Sequence, residues 1–330
     1  MNVTALGTIL VREPLWLKSV RWGAVGLVGS ALMLTACTGY RSSGSPSKTT
    51  AAPAGSLSSG CGPHVPPSAV APGTTQDRTL TAVSATGSYL ITVPRSCRPG
   101  HPIPVILLFY GFGSDPSQFS ALTHLPSQGS SDGYLVAVPH TQGTEWQFSG
   151  QGTDATFVNG LLQQIGSTYC VDQRKVFAAG FSAGAAFTIF YACGHQGQIA
   201  AIATVAVDFQ LGCTRPISIL AFHGTEDPLV PYQDGAVGLS LPGVKVRGTE
   251  LNMTDWARLA HCRLVPKQTP VGSQVIRQQW PACIDGTSVV LYSVLGGGHS
   301  WPGADPNASV GLTTQQISAT SEALVFFDRS

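Results

Sequence analysis

The sequence predicts an α/β fold with a mostly parallel central sheet and helices on both faces. Two observations carry that prediction. Short apolar runs recur along the chain, bounded by turn residues and without polar alternation inside them. Segments with helical apolar spacing stand between those runs. Strands buried on both faces read as unbroken apolar runs, and parallel neighbours need a crossover, usually a helix. A third observation sets the extent: residues 61–330 contain no second linker and no repeat, so they read as one domain.

The elements follow in order. "PVILLFYG" (104–111) is a buried strand, and "YLVAVPH" (134–140) is another. In "DATFVNGLLQQI", Phe157, Leu161, Leu162 and Ile165 share a helical face, with Asp154 as the expected N-cap. "KVFAAG" (175–180) is a strand, and the small and apolar "SAGAAFTIFYAC" after it is a helix. "IAAIATVAV" (199–207) and "ISILAFHG" (217–224) are strands, and "GTELNMTDWARLA" (248–260) is a helix. "TSVVLYSVLGGGH" (287–299) is a strand ending in a glycine loop, and "QQISATSEALVFFD" (315–328) is a closing helix. In such sheets the working residues gather in loops at the carboxyl ends of the strands.

The first sixty residues read as targeting sequence. Arg12, Lys18 and Arg21 precede an apolar run from Trp22 to Leu34, too short and glycine-rich to span a bilayer comfortably. That is the pattern of an export signal. It ends in "LTAC", Leu34 to Cys37, which resembles the bacterial lipoprotein box. The resemblance implies a signal over 1–37, lipidation of Cys37 and attachment to a cell membrane, with a free secreted protein or a retained anchor as the alternatives. Residues 38–60 hold almost no large apolar side chains and are expected to form a flexible tether.

Composition agrees with export. Only 11% of residues are charged, against roughly a quarter in typical domains. A net charge of +1 gives no polyanion-binding signature, so nucleic acid is excluded as an expected partner. Setting Cys37 aside leaves seven of the eight cysteines, an odd number, so one thiol stays over after at most three bridges. Cys262 with Cys283 is the expected pair. No C-x-x-C occurs, so a zinc site is not expected.

Two stretches match G-x-S-x-G. Around Ser131, in "LPSQGSSDG", the preceding residues are polar and the strand comes afterwards. That stretch reads as a surface turn. Around Ser182, "KVFAAG" precedes and "AGAAFTIFYA" follows, which gives strand, sharp turn and helix. That is the setting of a nucleophile elbow, where glycines admit close backbone approach and the helix N-terminus favours a developing oxyanion. Ser182 is therefore the expected nucleophile.

A serine needs a base, and after an elbow the chain order is serine, acid, histidine. His195 lies just past the elbow helix, His223 precedes the best acid, and His261 sits beside Cys262. His299, in the glycine loop after the last strand, is the expected base. Asp227, in "AFHGTEDPLVPY", is the expected acid, with Glu226 and Asp234 as alternatives. The backbone N–H of Ala183 is one expected oxyanion donor. The second should come from "FYGFGSD", where Tyr110, Gly111 and Phe112 are candidates and Phe112 is preferred. Trp146 and Trp301, with Tyr110, are candidates to line an acyl site, although core packing suits both tryptophans equally well.

Together, "YCVDQRKVFAAGFSAGAAFTIFYAC", "AFHGTEDPLVPY" and "GGGHSWPG" resemble the extracellular esterase family of polyhydroxybutyrate depolymerases and feruloyl and acetylxylan esterases. The resemblance spans roughly residues 61–330. It implies an α/β-hydrolase fold, no cofactor, and hydrolysis of carboxylic esters in extracellular polymers or conjugates, with nucleophile, acid and base at Ser182, Asp227 and His299. The sequence departs from the family where Tyr110-Gly111 replaces the usual His-Gly. A non-catalytic surface-binding protein, a peptidase or an acyltransferase on the same scaffold are the alternative functions.

Overall fold

The apolar runs assemble as neighbours in a sheet. In chain order the strands are β1 (Thr75–Ala82), β2 (Ala85–Thr92), β3 (Ile103–Phe109), β4 (Leu135–Pro139), β5 (Val171–Phe181) and β6 (Ala201–Val205). They continue with β7 (Ser218–Gly224), β8 (Gly235–Ala236), β9 (Lys245–Val246), β10 (Lys267–Val271), β11 (Val275–Trp280) and β12 (Val289–Val294). The helices are α1 (Pro116–Thr123), α2 (Leu125–Ser131), α3 (Thr153–Thr168), α4 (Ala183–Gly194), α5 (Thr249–Leu259) and α6 (Ala319–Asp328). The protein is seen here as a computed structural model that describes residues 57–63, 69–82, 85–237 and 245–330. The signal segment, Cys37 and the tether as far as residue 56 lie outside the described residues.

Among the described residues the main sheet has ten strands in the order β1-β2-β4-β3-β5-β6-β7-β12-β11-β10. The six from β4 to β12 in that order run parallel. An antiparallel hairpin closes each side, β1–β2 on β4 and β10–β11 on β12. Every residue of β4, β6, β7 and β12 is buried, which is why these strands read as unbroken apolar runs. Strand β10 is exposed for most of its length and carries Pro270, as an edge tolerates. The fold therefore matches the expected α/β class, extended by two antiparallel edges that the sequence did not announce.

Several helix ends have local causes. The Asp115 carboxylate accepts from the N–H groups of Ser117 and Gln118 at 3.0 and 2.9 Å, and Pro116 starts α1. Ser318 caps α6 through the Ser321 N–H. The expected cap of α3 is corrected: Gly152 holds the N-cap position. Asp154 is buried inside the first turn instead, and its carboxylate accepts from the N–H groups of Gln142 and Gln147 at 2.6 and 2.7 Å. It organises the loop after β4. The stretch ending at Ser131 is also corrected, since it forms the helix α2 and not a turn.

Three disulfides brace the unit: Cys61–Cys170, Cys193–Cys213 and the expected Cys262–Cys283. Among the described residues Cys97 is the free thiol. The end of the tether needs correction. Leu57 pairs with Asp172, and the Ser58 hydroxyl is buried between the Tyr169 carbonyl and the Val171 N–H. Among the described residues Leu57 and Ser58 are thus already packed, ahead of the expected boundary at residue 61.

Strand register brings the loop positions together. Phe109 pairs with Gly180, Phe181 with Val205, Val205 with Phe222, and Gly224 with Val294. The carboxyl ends of β3, β5, β6, β7 and β12 are therefore level, and the residues that follow them emerge along one edge of the sheet.

Candidate active site

Ser182 lies between β5 and α4 with φ 54° and ψ −121°. This left-handed φ is costly for a residue with a Cβ, of the order of 1–3 kcal/mol, and persists only where the surroundings enforce it. Here they do. The Ser182 N–H bonds the Val205 carbonyl at 2.9 Å. A Cβ on Gly180 would overlap the Gly184 carbonyl and the Thr188 hydroxyl. A Cβ on Gly184 would overlap the Phe109 and Tyr110 carbonyls. Alanine would gain about 1 kcal/mol of helix propensity over glycine at 184. Overlap with fixed backbone oxygens outweighs that, so the two glycines are steric requirements of the turn.

The first N–H groups of α4 have no intrahelical partner and carry the positive end of its dipole. Ala183 supplies the first of them. The loop after β3 lies against the same point, since a Cβ on Gly111 would sit 3.4 Å from the Ser182 Cβ. Gly111 thus lies beside the serine. The Phe112 side chain is 63% exposed.

The Asp227 side chain is buried. Its Oδ2 lies 2.7 Å from His299 Nδ1, and its Oδ1 accepts from the N–H groups of Leu229 and Val230 at 2.8 and 2.9 Å. Glu226 is exposed, and Asp234 is exposed and occupied with the Gly248 N–H. The acid and base loops approach closely: a Cβ on Gly224 would overlap the Gly297 carbonyl. The His299 ring is 4% exposed as a residue and packs 4.9 Å from the Phe181 ring, beside the elbow. Among the described residues no protein group hydrogen-bonds the Ser182 hydroxyl. Unliganded sites often hold that contact open until substrate binds.

A cavity of about 480 Å³ opens at Ser182 and Ala183. Phe190, Phe148, Phe209 and Leu211 supply much of its apolar wall. Phe190 stacks with Phe148 at 6.0 Å and meets Phe209 edge-on at 5.6 Å. Neither expected tryptophan lines it. Trp146 is 3% exposed, stacks on Phe187 at 4.7 Å and donates its indole N–H to the Tyr110 carbonyl. Trp301 is 2% exposed, donates to Thr320 and packs edge-on against Phe119. Tyr110 is buried, and its hydroxyl accepts from the Thr141 N–H. All three are corrected from substrate contacts to core residues.

Sequence reasoning set His223 aside on chain order, yet its buried ring also lines the cavity. Nδ1 lies 2.7 Å from Asp208 Oδ2 and Nε2 lies 2.9 Å from the Val230 carbonyl. Burial pulls its pKa down, but the hydrogen bond and charge of Asp208 raise it above the usual histidine value. The remaining histidines lie elsewhere: His195 pairs with Asn159 and the Tyr191 carbonyl, and His261 is exposed. Among the described residues no group of three His, Cys, Asp or Glu could hold a metal, and no helix is long and apolar enough to cross a membrane.

No family model matches the chain. It is 28% identical over 214 residues to feruloyl esterase B of Piromyces equi, covering 60% of this chain and 39% of that protein. It is 26% identical over 232 residues to feruloyl esterase D of Neurospora crassa, covering 66% of this chain and 75% of that one. The chain thus spans about two fifths of the length of the Piromyces protein. Among solved structures, acetyl xylan esterase from Aspergillus awamori superposes with TM-score 0.54 at 17% identity, covering 78% of this chain and all of that one. The sheet and this superposition define an α/β-hydrolase fold. These relatives are named esterases, and the chain is similar to feruloyl esterase-like carboxylic ester hydrolases.

Proposed function

We propose that the protein is an exported serine esterase that cleaves carboxylic esters through Ser182, His299 and Asp227. One observation carries the reading: the buried Asp227–His299 hydrogen bond of 2.7 Å lies against the Phe181 ring, the neighbour in sequence of a strained serine at the mouth of an apolar cavity. Asp227 accepts the Nδ1 proton of His299 and leaves Nε2 free as base. Nε2 takes the Ser182 proton as Oγ attacks the ester carbonyl. The oxyanion rests on N–H groups of Ala183 and the 110–112 loop, with Phe112 as the assigned second donor. The alcohol leaves with the proton from His299, and water activated by the same nitrogen releases the acid.

Feruloyl, acetyl-sugar and polyhydroxyalkanoate esters are the substrate classes in play, and the cavity favours the first. Its volume suits a drug-sized group, and its phenylalanine wall suits an aromatic acyl chain. An acetyl group would leave most of that wall uncovered. In a side-by-side assay, methyl ferulate should be turned over with the highest kcat/KM, ahead of acetylated xylose and hydroxybutyrate oligomers. Phe190→Ala should raise KM for methyl ferulate about tenfold and leave p-nitrophenyl acetate nearly unchanged. Equal effects on both esters would remove the acyl assignment. A fluorophosphonate probe should label the peptide carrying Ser182, and labelling elsewhere overturns the nucleophile.

The basic flank, apolar run and Leu34–Cys37 box support export and lipid attachment at Cys37. In membrane fractionation the intact chain should sediment with membranes and Cys37→Ser should not. Equal sedimentation of both removes the lipid anchor.

A further inference from the structure

The His223 ring is 3% exposed as a residue and takes no part in the reaction described above. Its surroundings specify its protons. The Val230 carbonyl, 2.9 Å from Nε2, can only accept, so Nε2 carries a hydrogen. At Nδ1 stand Asp208 Oδ2 at 2.7 Å and Thr249 Oγ1 at 2.9 Å. A bare Nδ1 would set its lone pair against a carboxylate oxygen in a buried site. The other oxygen of Asp208 is already engaged: Oδ1 accepts from Asn252 Nδ2 at 2.8 Å. The Asp208 backbone carbonyl accepts the Trp256 indole N–H, which pins the residue. Nδ1 therefore carries a hydrogen too, and the ring is a cation balanced by Asp208.

The ring also touches the catalytic turn at two places. Val230, which accepts from Nε2 through its carbonyl, donates its own N–H to Asp227 Oδ1. Asp227 Oδ2, the oxygen that holds His299, is 3.6 Å from Nε2. The remaining face meets the edge of Tyr232 at 5.7 Å, whose hydroxyl pairs with Ser293 and donates to Glu250. Asp227 Oδ2 thus has two histidines near it, His299 at 2.7 Å and His223, itself tied to Asp208, at 3.6 Å.

We propose that His223 is a positioning residue for the acid: as an imidazolium clamped between Asp208 and the Val230 carbonyl, it fixes the Asp227 turn and sets positive charge beside the carboxylate. The inference rests on the reading of Asp227 and His299 given above. A neutral replacement frees the turn and removes the charge while leaving the phenylalanine wall of the cavity in place. The loss therefore falls on kcat and not on KM.

The test uses the intact protein, with nitrogen-15 histidine spectra at neutral pH and kinetics on methyl ferulate. Wild type should show one histidine with both ring nitrogens protonated, and that signal should vanish in His223→Gln. His223→Gln should lose about tenfold in kcat with KM changed by no more than about twofold. Asp208→Asn should return His223 to one bare nitrogen and lower kcat in the same way, which covers the case of a poorly folding His223→Gln. A wild-type His223 with one bare nitrogen, or a folded His223→Gln with wild-type kcat, overturns the proposal. Ser182→Ala run alongside separates the two readings: turnover in that variant sinks the nucleophile assignment, whatever His223 does.

Discussion

Ser182→Ala is expected to abolish ester hydrolysis and leave the protein folded. The expected fall in kcat is about 10⁶-fold, the scale of losing a nucleophile that works as one unit with its base. Stability should barely move, for two reasons. Alanine carries the same Cβ as serine, so it pays the same backbone cost at φ 54° and no new one. The Ser182 hydroxyl has no protein hydrogen-bond partner among the described residues, so its removal strands no buried donor or acceptor. Turnover of p-nitrophenyl acetate and a thermal melt read the two halves of this expectation. A variant that keeps a tenth of wild-type turnover ends the serine mechanism. A variant that loses turnover only because it unfolds says that the hydroxyl supports the elbow, and the backbone geometry gives no reason for that.

The centre of this molecule was legible because most of its strands are buried on both faces. Runs such as "PVILLFYG" and "ISILAFHG" have no polar face to confuse the pattern. The site was legible for a related reason. Gly180 and Gly184 are sterically forced, so the elbow leaves a mark in sequence that the polar match at Ser131 lacks. The edges were not legible. "TQDRTLTA" and "KQTPV" bury little, and their pairing is set by neighbours distant in sequence. The short α2 was hidden by its polar residues; Pro126 in its first turn was the available signal.

Proximity in sequence misled at Trp301. It stands two residues past His299, yet the chain turns it into the core against Phe119. The residues that do line the cavity were hidden by the opposite problem. Phe190 lies in a helix that is apolar nearly all round, so no periodicity says which side faces the site. His223 carried a usable clue, because it precedes Asp227 by four residues with Gly224 between them in a tight approach to the base loop. Chain order set it aside as the base but said nothing of a supporting part.

Asp227→Asn should be nearly as damaging as loss of the nucleophile, with kcat falling about 10⁴-fold and KM little changed. The argument turns on which way the new amide faces. Oδ1 of Asp227 accepts two backbone N–H groups, from Leu229 and Val230. An asparagine satisfies both only by keeping its carbonyl oxygen there, which aims its NH₂ at His299. That NH₂ can bond Nδ1 only if Nδ1 gives up its hydrogen, and the imidazole then presents Nε2–H to Ser182. The base becomes a donor at the moment a proton must be taken. Turning the amide around restores the tautomer but sets an NH₂ against two backbone donors and strands them in a buried turn, at about 1–3 kcal/mol each. The NH₂ in its preferred orientation also faces His223 Nε2, 3.6 Å away in the native site. Both orientations lose, and the first is the cheaper, so the protein folds around the wrong tautomer. Glu226→Gln is the control: that side chain is exposed one residue away, and its removal should leave kcat unchanged. A reversed outcome, with Glu226→Gln inactive and Asp227→Asn working within tenfold of wild type, would hand the acid's role to Glu226.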